Sequence, residues 1–467
     1  MTNEMKKAVA AFLTIGTLAV SCPALAQNSE FNSGDATADN AQTLVREGRE
    51  IFRFDTYGDE QFWGGKLRLH EAIAGQGRGG VGNGLTPTTA INLGLKVDVD
   101  ALPQNVVQGL QSNTINLNDP ATTLALLQVN AVVGVKGNFS PEGRLSSVGF
   151  TCALCHSTVD NSLAFGIGHR LDGWSNRDLD VGKIVALAPD VSPFVQLLRS
   201  SPGNEEITPQ QVRNVLSSWG PGKFDAQLLL DGKAFRPDGG PAATLIPDAF
   251  GMAGVNLHTW TGAWGTVTYW NAFVAALELQ GVGNFFDPRL DDPAQFPDIA
   301  PRFPIAVANR LGHKKVDPAS DLITSKLPAL HFYQLAIPAP KPQPGVHFNE
   351  DAAERGDALF SGKARCNECH VEPLWTEPGW NAHRPQEIGI DSFQAERSPD
   401  RVYKTAKLSG LYIRENGLFM KPENKGKFFH DGRFRTLLDV VNHYNSFFGL
   451  ALTEEEKRDL VEYLKSI

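Results

Sequence analysis

Hydrophobic residues recur at helical spacing near the C-terminus, where they predict amphipathic helices. Thr453 and Glu456 have the spacing of a capping box at the start of the last such segment. One face of that predicted helix carries four apolar side chains, namely Leu460, Val461, Leu464 and Ile467. Asn349 is the expected N-cap of an earlier helix over residues 350–360, which ends before Gly362. The C-terminal region is therefore predicted to be helical.

Strand-like patterns are confined to the middle of the chain. The short apolar segments 132–139 and 144–151 flank the sequence Ser-Pro-Glu-Gly at 140–143, which places proline second and glycine fourth in a turn. These segments predict a β-hairpin. Just before them, the Asp119-Pro120 pair is expected to begin a helix over residues 121–130.

The first 26 residues have the pattern of a secretory signal peptide. Lys6 and Lys7 precede an apolar stretch over residues 8–20, and Ala-Leu-Ala at 24–26 forms a cleavage site. This stretch is too short to span a bilayer, and no later run reaches the roughly 18 apolar residues that indicate a membrane helix. We therefore expect export to the periplasm of a Gram-negative bacterium. Lipidation at Cys22 is disfavoured because the sequence lacks the leucine that usually stands three residues before a lipidated cysteine.

Two copies of Cys-x-x-Cys-His use every cysteine outside that leader. The first is CALCH, with Cys152, Cys155 and His156, and the second is CNECH, with Cys366, Cys369 and His370. Thiols three residues apart lie on the same side of one helical turn, so both can form thioethers to one porphyrin, and the next residue supplies an iron ligand. Two Cys-x-x-Cys pairs can also close one tetrahedral zinc site. The histidine after each pair favours two covalently bound c-type haems instead.

The charge balance is acidic, with a formal net charge of −9 that becomes −10 when Glu4, Lys6 and Lys7 leave with the leader. Such a surface is a poor partner for nucleic acid or anionic membranes. It would attract a small basic electron carrier, although an acidic balance also keeps many proteins dispersed.

The predicted fold is mainly α, with two cytochrome c-like haem domains and irregular, partly β insertions. Four prolines in nine residues at 337–345 favour an extended linker between the two domains. The region 200–335 is rich in Gly, Pro and aromatic residues and is expected to wrap the first haem domain. The predicted division is a signal peptide at 1–26, an N-terminal extension at 27–140, a first haem domain at 141–336, the linker at 337–345 and a C-terminal cytochrome c domain at 346–467.

Four C-terminal segments carry a family resemblance: GDALFSGKARCNECH, YKTAKLSGL, FFHDGRFRTLLDVVNHY and LTEEEKRDLVEYLKSI. They resemble the C-terminal haem domain of the bacterial dihaem cytochrome c peroxidases and of MauG. CALCH followed by GIGHR is similar, more loosely, to the peroxidatic domain of that superfamily. The resemblance covers about half of the chain. It implies that the first haem meets peroxide and that the second is six-coordinate and passes electrons.

The resemblance also implies a ligand for the second haem. MauG has a tyrosine 14 residues after the histidine of its HDG sequence, and counting from His430 gives Tyr444. Thr436 and Asp439 predict a helix start, and the apolar stripe that follows contains Leu437, Val441, Tyr444 and Phe448. His443 projects about 100° away from Tyr444 on that helix, so both cannot face one iron. Two alternatives stay open: Tyr444 is a core residue, or Met420 is the ligand.

His169, 13 residues after His156 in GIGHRLDGW, is the histidine that the resemblance implies above the first iron, where it leaves to admit peroxide. The alternatives are a hydrogen-bonded loop histidine and a contact with a haem propionate. Four other histidines are further candidates for the ligand of the first iron, although each is expected to be structural: His70, His258, His331 and His383. Trp174 is an electron-relay candidate, with packing as the favoured role. The family's distal glutamate has no recognisable position, and no calcium site is predicted because the residues around 425–429 differ from the family pattern.

The sequence thus predicts a periplasmic dihaem c-type cytochrome, an oxidoreductase of the cytochrome c peroxidase and MauG type. Its expected partners are peroxide or oxygen and a small periplasmic electron-donor protein. Two alternatives remain: a dihaem cytochrome that only transfers electrons, and a dihaem oxygenase resembling the rubber oxygenases, with an apolar pocket over the first haem.

Overall fold

The structure is a computed structural model that describes residues 33–201 and 203–467. The predicted signal peptide and Cys22 lie outside the described residues. One unit of the chain ends at Thr43 and the other comprises Leu44–Ile467. No helix among the described residues is long and apolar enough to cross a membrane.

Helices dominate the described residues, which confirms the mainly α prediction. The α-helices are α1 (Ser33–Phe54), α2 (Leu69–Ala74), α3 (Pro87–Asn92), α4 (Gln104–Gln111), α5 (Pro120–Gln128), α6 (Ala153–His156), α7 (Val181–Ala186), α8 (Ser192–Leu198), α9 (Pro209–Ser218), α10 (Leu228–Asp231), α11 (Val267–Phe273), α12 (Pro304–Ala308), α13 (Leu327–Ala336), α14 (Glu350–Ser361), α15 (Phe393–Glu396), α16 (Leu411–Asn416), α17 (Leu437–Phe448) and α18 (Glu454–Ser466). Two π-helical segments are Gln61–Lys66 and Val274–Glu278. Short 3-10 turns are Gln76–Arg78, Val99–Ala101, Pro288–Leu290, Ala300–Arg302, Pro318–Ser320, Thr324–Lys326, Cys366–Glu368, Pro385–Glu387 and Pro422–Asn424.

The strands are short and pair only in twos within the described residues. They are β1 (Val97–Asp98), β2 (Val135–Phe139), β3 (Leu145–Phe150), β4 (Ser157–Val159), β5 (Ile167–Gly168), β6 (Arg170–Asp172), β7 (Lys223–Phe224), β8 (Thr244–Leu245), β9 (Phe285–Phe286) and β10 (His313–Lys314). The pairs β2–β3, β4–β6, β7–β8 and β9–β10 are antiparallel, whereas β1–β5 is parallel.

The predicted hairpin is confirmed. Strand β2 pairs with β3 from Val135 opposite Phe150 to Phe139 opposite Leu145. The Gly143 amide donates to the Ser140 carbonyl at 2.9 Å and closes the turn. Because β3 ends two residues before Cys152, the hairpin delivers the chain directly into the first haem motif.

The predicted C-terminal helices α14 and α18 are also confirmed, and they pack closely together. The side chain of Asn349 accepts from the Ala352 amide at 2.9 Å and caps α14. Thr453 and Glu456 form the predicted capping box of α18. A Cβ atom at Gly356 would lie 2.2 Å from the Asp459 carbonyl oxygen, so only glycine permits this helix crossing.

Residues before 140 contribute to the core around the first motif. Phe62, Trp63 and Leu67 are buried in one cluster with Phe150 and Leu154. This segment therefore packs against the first motif. A second cluster joins Phe52 and Ala153 to Tyr412 and Met420, so residues after the predicted linker pack on the first half of the chain.

The carboxyl group of Asp59 anchors the end of β3. Both of its oxygens accept from the Phe150 amide, at 3.2 and 3.0 Å. Burial raises the pKa of Asp59 to about 9, so the group is neutral at pH 7. This contact fixes the backbone just ahead of Cys152.

Candidate functional site

The first haem motif opens into a cavity of about 240 Å³, called the first cavity below. Cys152, Cys155 and His156 lie at its wall, on and just before α6. The remaining lining is largely apolar, and its aromatic members are Trp63, Phe150, Phe194, Trp219, Phe224, Trp260 and Trp270. A flat apolar macrocycle would find matching surroundings here.

Backbone contacts hold the first motif in place. The amide of Asn176 donates to the Cys155 carbonyl at 2.9 Å, and the amide of Gly173 donates to the His156 carbonyl at 2.8 Å. Burial raises the pKa values of both thiols in this motif to about 12 and lowers that of His156 to about 4. The imidazole is therefore neutral at pH 7, the form that ligates iron.

Glu278 is an acid that the sequence analysis missed. It ends the π-helical segment Val274–Glu278, lines the first cavity with His156, and its Oε1 atom has no hydrogen-bond partner in the described structure. Burial, with a smaller contribution from the negative charge of Asp225, raises the pKa of Glu278 to about 8. A π-helical segment often marks a functional site. The signal in the sequence was a lone glutamate in an otherwise apolar run, FVAALEL.

A second polar atom faces the same cavity without a partner. The Oε1 atom of Gln394 is buried and unpaired, while the Nε2 atom of this residue donates to Gln227 at 3.1 Å. Oγ1 of Thr259 is a third unpaired oxygen in the lining of this cavity. Buried polar groups are normally satisfied, so these three oxygens in one apolar cavity indicate a place for a polar ligand or water.

His169 does not line the first cavity. Its side chain is 57% exposed, and Nδ1 lies 2.8 Å from Oδ1 of Asp100. The structure therefore differs from the expected position above the first iron. The reason is local: the His169 carbonyl accepts from the Asp160 amide, and this pairing keeps the side chain on the surface.

The four further candidate histidines are divided between the two halves of the structure. Neither cavity is lined by His70, His258 or His331. His383 lines the second cavity, described next, and its Nε2 atom pairs with Glu377 at 2.6 Å.

The second motif opens into another cavity, of about 250 Å³, called the second cavity. Cys366, Cys369 and His370 line it. Nδ1 of His370 lies 2.9 Å from the Trp375 carbonyl oxygen, and donation of this N–H leaves Nε2 free to ligate a metal. Burial lowers the pKa of His370 to about 4, so this ring is also neutral at pH 7.

Tyr444 lines the second cavity together with His370. It lies on α17, and its hydroxyl has no hydrogen-bond partner among the described residues. Burial and the neighbouring Cys369 thiol raise its pKa. His443 points elsewhere, with Nε2 at 3.2 Å from the Ile388 carbonyl, as the helical spacing predicts.

Met420 and Trp174 lie away from both large cavities. Together they line a small cavity between the two halves of the chain. The ring of Trp174 lies 5.7 Å from that of Phe419 and 6.2 Å from that of Phe250. The structure therefore does not bring Met420 to His370, and Trp174 has the packing contacts that the sequence analysis favoured.

Trp260 is the side chain that reaches both cavities. Its indole N–H donates to the Leu245 carbonyl at 2.7 Å, which fixes the ring. No pattern in the sequence indicates this position, because Trp260 is distant along the chain from both motifs.

The positions of the cysteines argue against one shared zinc site. The two cysteine pairs line separate cavities, so the described residues do not form a single four-thiolate zinc site. Each cavity instead combines two thiols on one side, a neutral imidazole and an apolar interior. This arrangement fits one covalently attached haem in each cavity.

Comparisons with known proteins give one sequence match of note. No protein-family model matches the chain. The chain is 28% identical over 149 residues to the cytochrome-c peroxidase IdrP1 of Denitromonas iodatirespirans, which covers 25% of this chain and 40% of that protein. The match confirms the predicted resemblance to the dihaem cytochrome c peroxidase superfamily. The chain spans less than half of the length of this relative.

Two solved structures are also similar in part. Hydrazine synthase of Kuenenia stuttgartiensis, studied under xenon pressure, has a TM-score of 0.21 and 24% identity, over 31% of this chain and 55% of that chain. A MauG-like protein associated with microbial copper homeostasis has a TM-score of 0.29 and 17% identity, over 53% of this chain and 80% of that chain. With TM-scores this low, neither similarity establishes a shared fold.

Proposed function

We propose that the protein is an exported dihaem oxidoreductase that reduces peroxide with electrons from a small donor protein. The observation that carries this proposal is Glu278, a protonatable side chain with an unpaired oxygen in the cavity of Cys155 and His156. A haem that only transfers electrons has no need of such an acid, since no substrate meets its iron. The similarity to a cytochrome-c peroxidase supports the same class of activity.

A haem attached at each motif would supply iron for reaction with peroxide and for one-electron transfer. Around it, the side chains have separate tasks. Neutral His156 would ligate the first iron, and Glu278, protonated at pH 7, would donate a proton to the oxygen that leaves when the peroxide bond breaks. The apolar lining would exclude bulk water and strengthen the electrostatic effect of that single acid.

Electrons would enter at the second cavity and reach the first through Trp260. This indole borders both cavities and is held rigidly by its hydrogen bond to Leu245. An aromatic ring between two redox centres shortens the distance that each electron must cross. The acidic net charge would attract a basic donor protein. The leader pattern at residues 1–26 supports a periplasmic location.

The proposal is tested on the purified mature protein by haem stoichiometry, peroxide turnover and electron paramagnetic resonance. We expect two c-type haems per chain, oxidation of a reduced c-type cytochrome that depends on peroxide, and a high-spin iron signal in the oxidised or half-reduced state. Absence of a high-spin signal in every redox state would favour simple electron transfer. Oxygen uptake driven by an apolar organic substrate, without peroxide turnover, would favour an oxygenase.

Tyr444→Phe is expected to convert the second haem from a six-coordinate to a five-coordinate or water-bound state. The substitution removes only the hydroxyl group. This group has no hydrogen-bond partner among the described residues, so helix α17 should be little disturbed. The change is measured as a new high-spin component in the absorption and paramagnetic resonance spectra, with haem content unchanged.

The matched control is Tyr403→Phe. Tyr403 lines the same cavity, but its hydroxyl donates to the Asp391 carbonyl at 3.1 Å. This variant should keep the wild-type spectrum. Met420→Ala should also keep it, because Met420 lies outside the second cavity. If Met420→Ala removes a sulfur-to-iron charge-transfer band, Tyr444 is not the ligand.

A further inference from the structure

Four cationic side chains and one carboxylate lie together at the second cavity and at the small cavity beside it, and two of the cations are buried while the other three groups are half-buried. We call them the cationic cluster, and it consists of Arg177, Asp248, Lys404, Lys407 and Arg414. Lys404, Lys407 and Arg414 line the second cavity, while Arg177, Asp248 and Arg414 line the small cavity beside it. Arg177 and Arg414 are 5% and 8% exposed, so bulk water does not solvate them.

The hydrogen bonds of this cluster are incomplete. Arg177 and Arg414 each have an Nε and an Nη1 atom without a partner in the described structure. The only hydrogen bond from the Lys404 ammonium among the described residues goes to the Thr405 carbonyl, at 3.4 Å. Lys407 donates to the backbone carbonyl of Phe250. Most of the donors are therefore available to a ligand.

Asp248 balances only part of the positive charge. It accepts from the Ser175 hydroxyl at 2.5 Å and lies 3.6 Å from Nη2 of Arg177. Burial alone would raise its pKa, but Arg177 and Arg414 lower it, so Asp248 is ionised. Four potential cations and one anion remain, and burial lowers the pKa values of Lys404 and Lys407 to about 8.

An excess of buried positive charge lowers the stability of the folded protein unless bound anions balance it. The described residues supply one anion to this cluster, and three of its four cations face the second cavity. The missing anions therefore belong to a ligand within that cavity. Guanidinium and ammonium groups recognise carboxylates, and two carboxylates would bring the cluster close to neutrality.

We propose that Lys404, Lys407 and Arg414 form a carboxylate-binding site that holds the two propionate groups of the second haem. This inference rests on the proposed function, since it requires a haem at His370. Asp248 and Arg177 adjoin Arg414 on the side of the small cavity, where the carboxylate of Asp248 attracts its guanidinium group. The site fixes the rotation of the macrocycle in its cavity and raises the reduction potential of the second iron, because nearby positive charge favours the reduced state.

The test uses the haem-loaded protein with Arg414→Gln and Lys404→Gln variants. We expect the propionate bending band of the second haem to shift in the resonance Raman spectrum, and its potential to move lower in a spectroelectrochemical titration. Arg414→Lys, which keeps a positive charge, should restore most of the potential but not the Raman band. Lys363→Gln is the control, because Lys363 pairs on the surface with Glu456 in the same half of the chain.

A merely structural role for these cations predicts a different result. Haem-loaded Arg414→Gln and Lys404→Gln proteins with an unchanged Raman band and unchanged potential would overturn the inference and leave the proposed function standing. A protein without haem at His370 would overturn both. If Lys363→Gln shifts the potential as much as Arg414→Gln does, the effect is one of net charge and the specific site is rejected.

Discussion

Replacing Cys152 and Cys155 together by serine is expected to halve the haem content, from two haems per chain to one, and to abolish peroxide turnover. In the proposed function two thioethers would hold the first haem covalently, and without them only His156 and the apolar walls of the first cavity would remain to bind it. Haem content is measured by the pyridine haemochrome spectrum, and turnover by oxidation of a reduced c-type cytochrome.

The matched variant replaces Cys366 and Cys369 by serine in the second cavity. It should also leave one haem per chain, but that haem should keep its high-spin signal because the first cavity is untouched. If either variant retains two haems, covalent attachment at that motif is wrong. If the wild type carries zinc and no haem, the proposed function fails with it.

Glu278→Gln is expected to lower the kcat/KM for peroxide by about 100- to 10,000-fold, the usual contribution of a positioned proton donor. Glutamine preserves the size and hydrogen-bonding capacity of the side chain but cannot release a proton. The haem content and the potential of the second haem should stay unchanged. Steady-state turnover with a reduced cytochrome measures the effect.

The pH dependence of turnover should report the same group. Glu278 is neutral below its pKa of about 8 and ionises above it, so the wild-type rate should fall as the pH rises through about 8. Glu278→Gln should lose this inflection. Lys314 lines the same cavity and burial lowers its pKa to about 8 as well, so Lys314→Gln is the essential control. An inflection that disappears only with Lys314→Gln would assign the titration to the lysine.

A surface control separates this effect from a general loss of charge. Glu205→Gln removes a carboxylate that is exposed and lies outside the first cavity, so its kcat/KM should equal that of the wild type. A loss below threefold in Glu278→Gln would show that the proton comes from elsewhere. Gln394, whose unpaired oxygen faces the same cavity, would then be the next side chain to replace.

Several elements of the fold were predictable because their signals are local. The capping boxes at Thr436 and Thr453, the Asp119 cap of α5 and the turn at Ser140 each depend on residues within four positions of one another. Hydrogen bonds over so short a separation need no partner from a remote segment, so the residues that form them can be read from the sequence. The cysteine motifs are local in the same sense, since one helical turn contains both thiols and the imidazole.

Other placements depend on neighbours that are far away in the sequence. His169 was expected beside the first iron because it follows His156 closely, yet strand pairing and its contact with Asp100 hold it on the surface. Glu278 lies 122 residues after His156 and shares its cavity. Spacing along the chain does not reveal such a neighbour, since only packing brings the two segments together.

By itself the sequence determined what chemistry the chain can carry: two pairs of thiols, each followed by a histidine, together with the helices that support the second pair. Only the tertiary structure decided which side chains share a cavity with those histidines, namely Glu278 in the first and Tyr444 in the second, and that Trp260 borders both. The physical reason is that covalent attachment is specified within five consecutive residues. Proton donation, axial ligation and electron transfer depend instead on distances that are set when remote segments bury their apolar surfaces together.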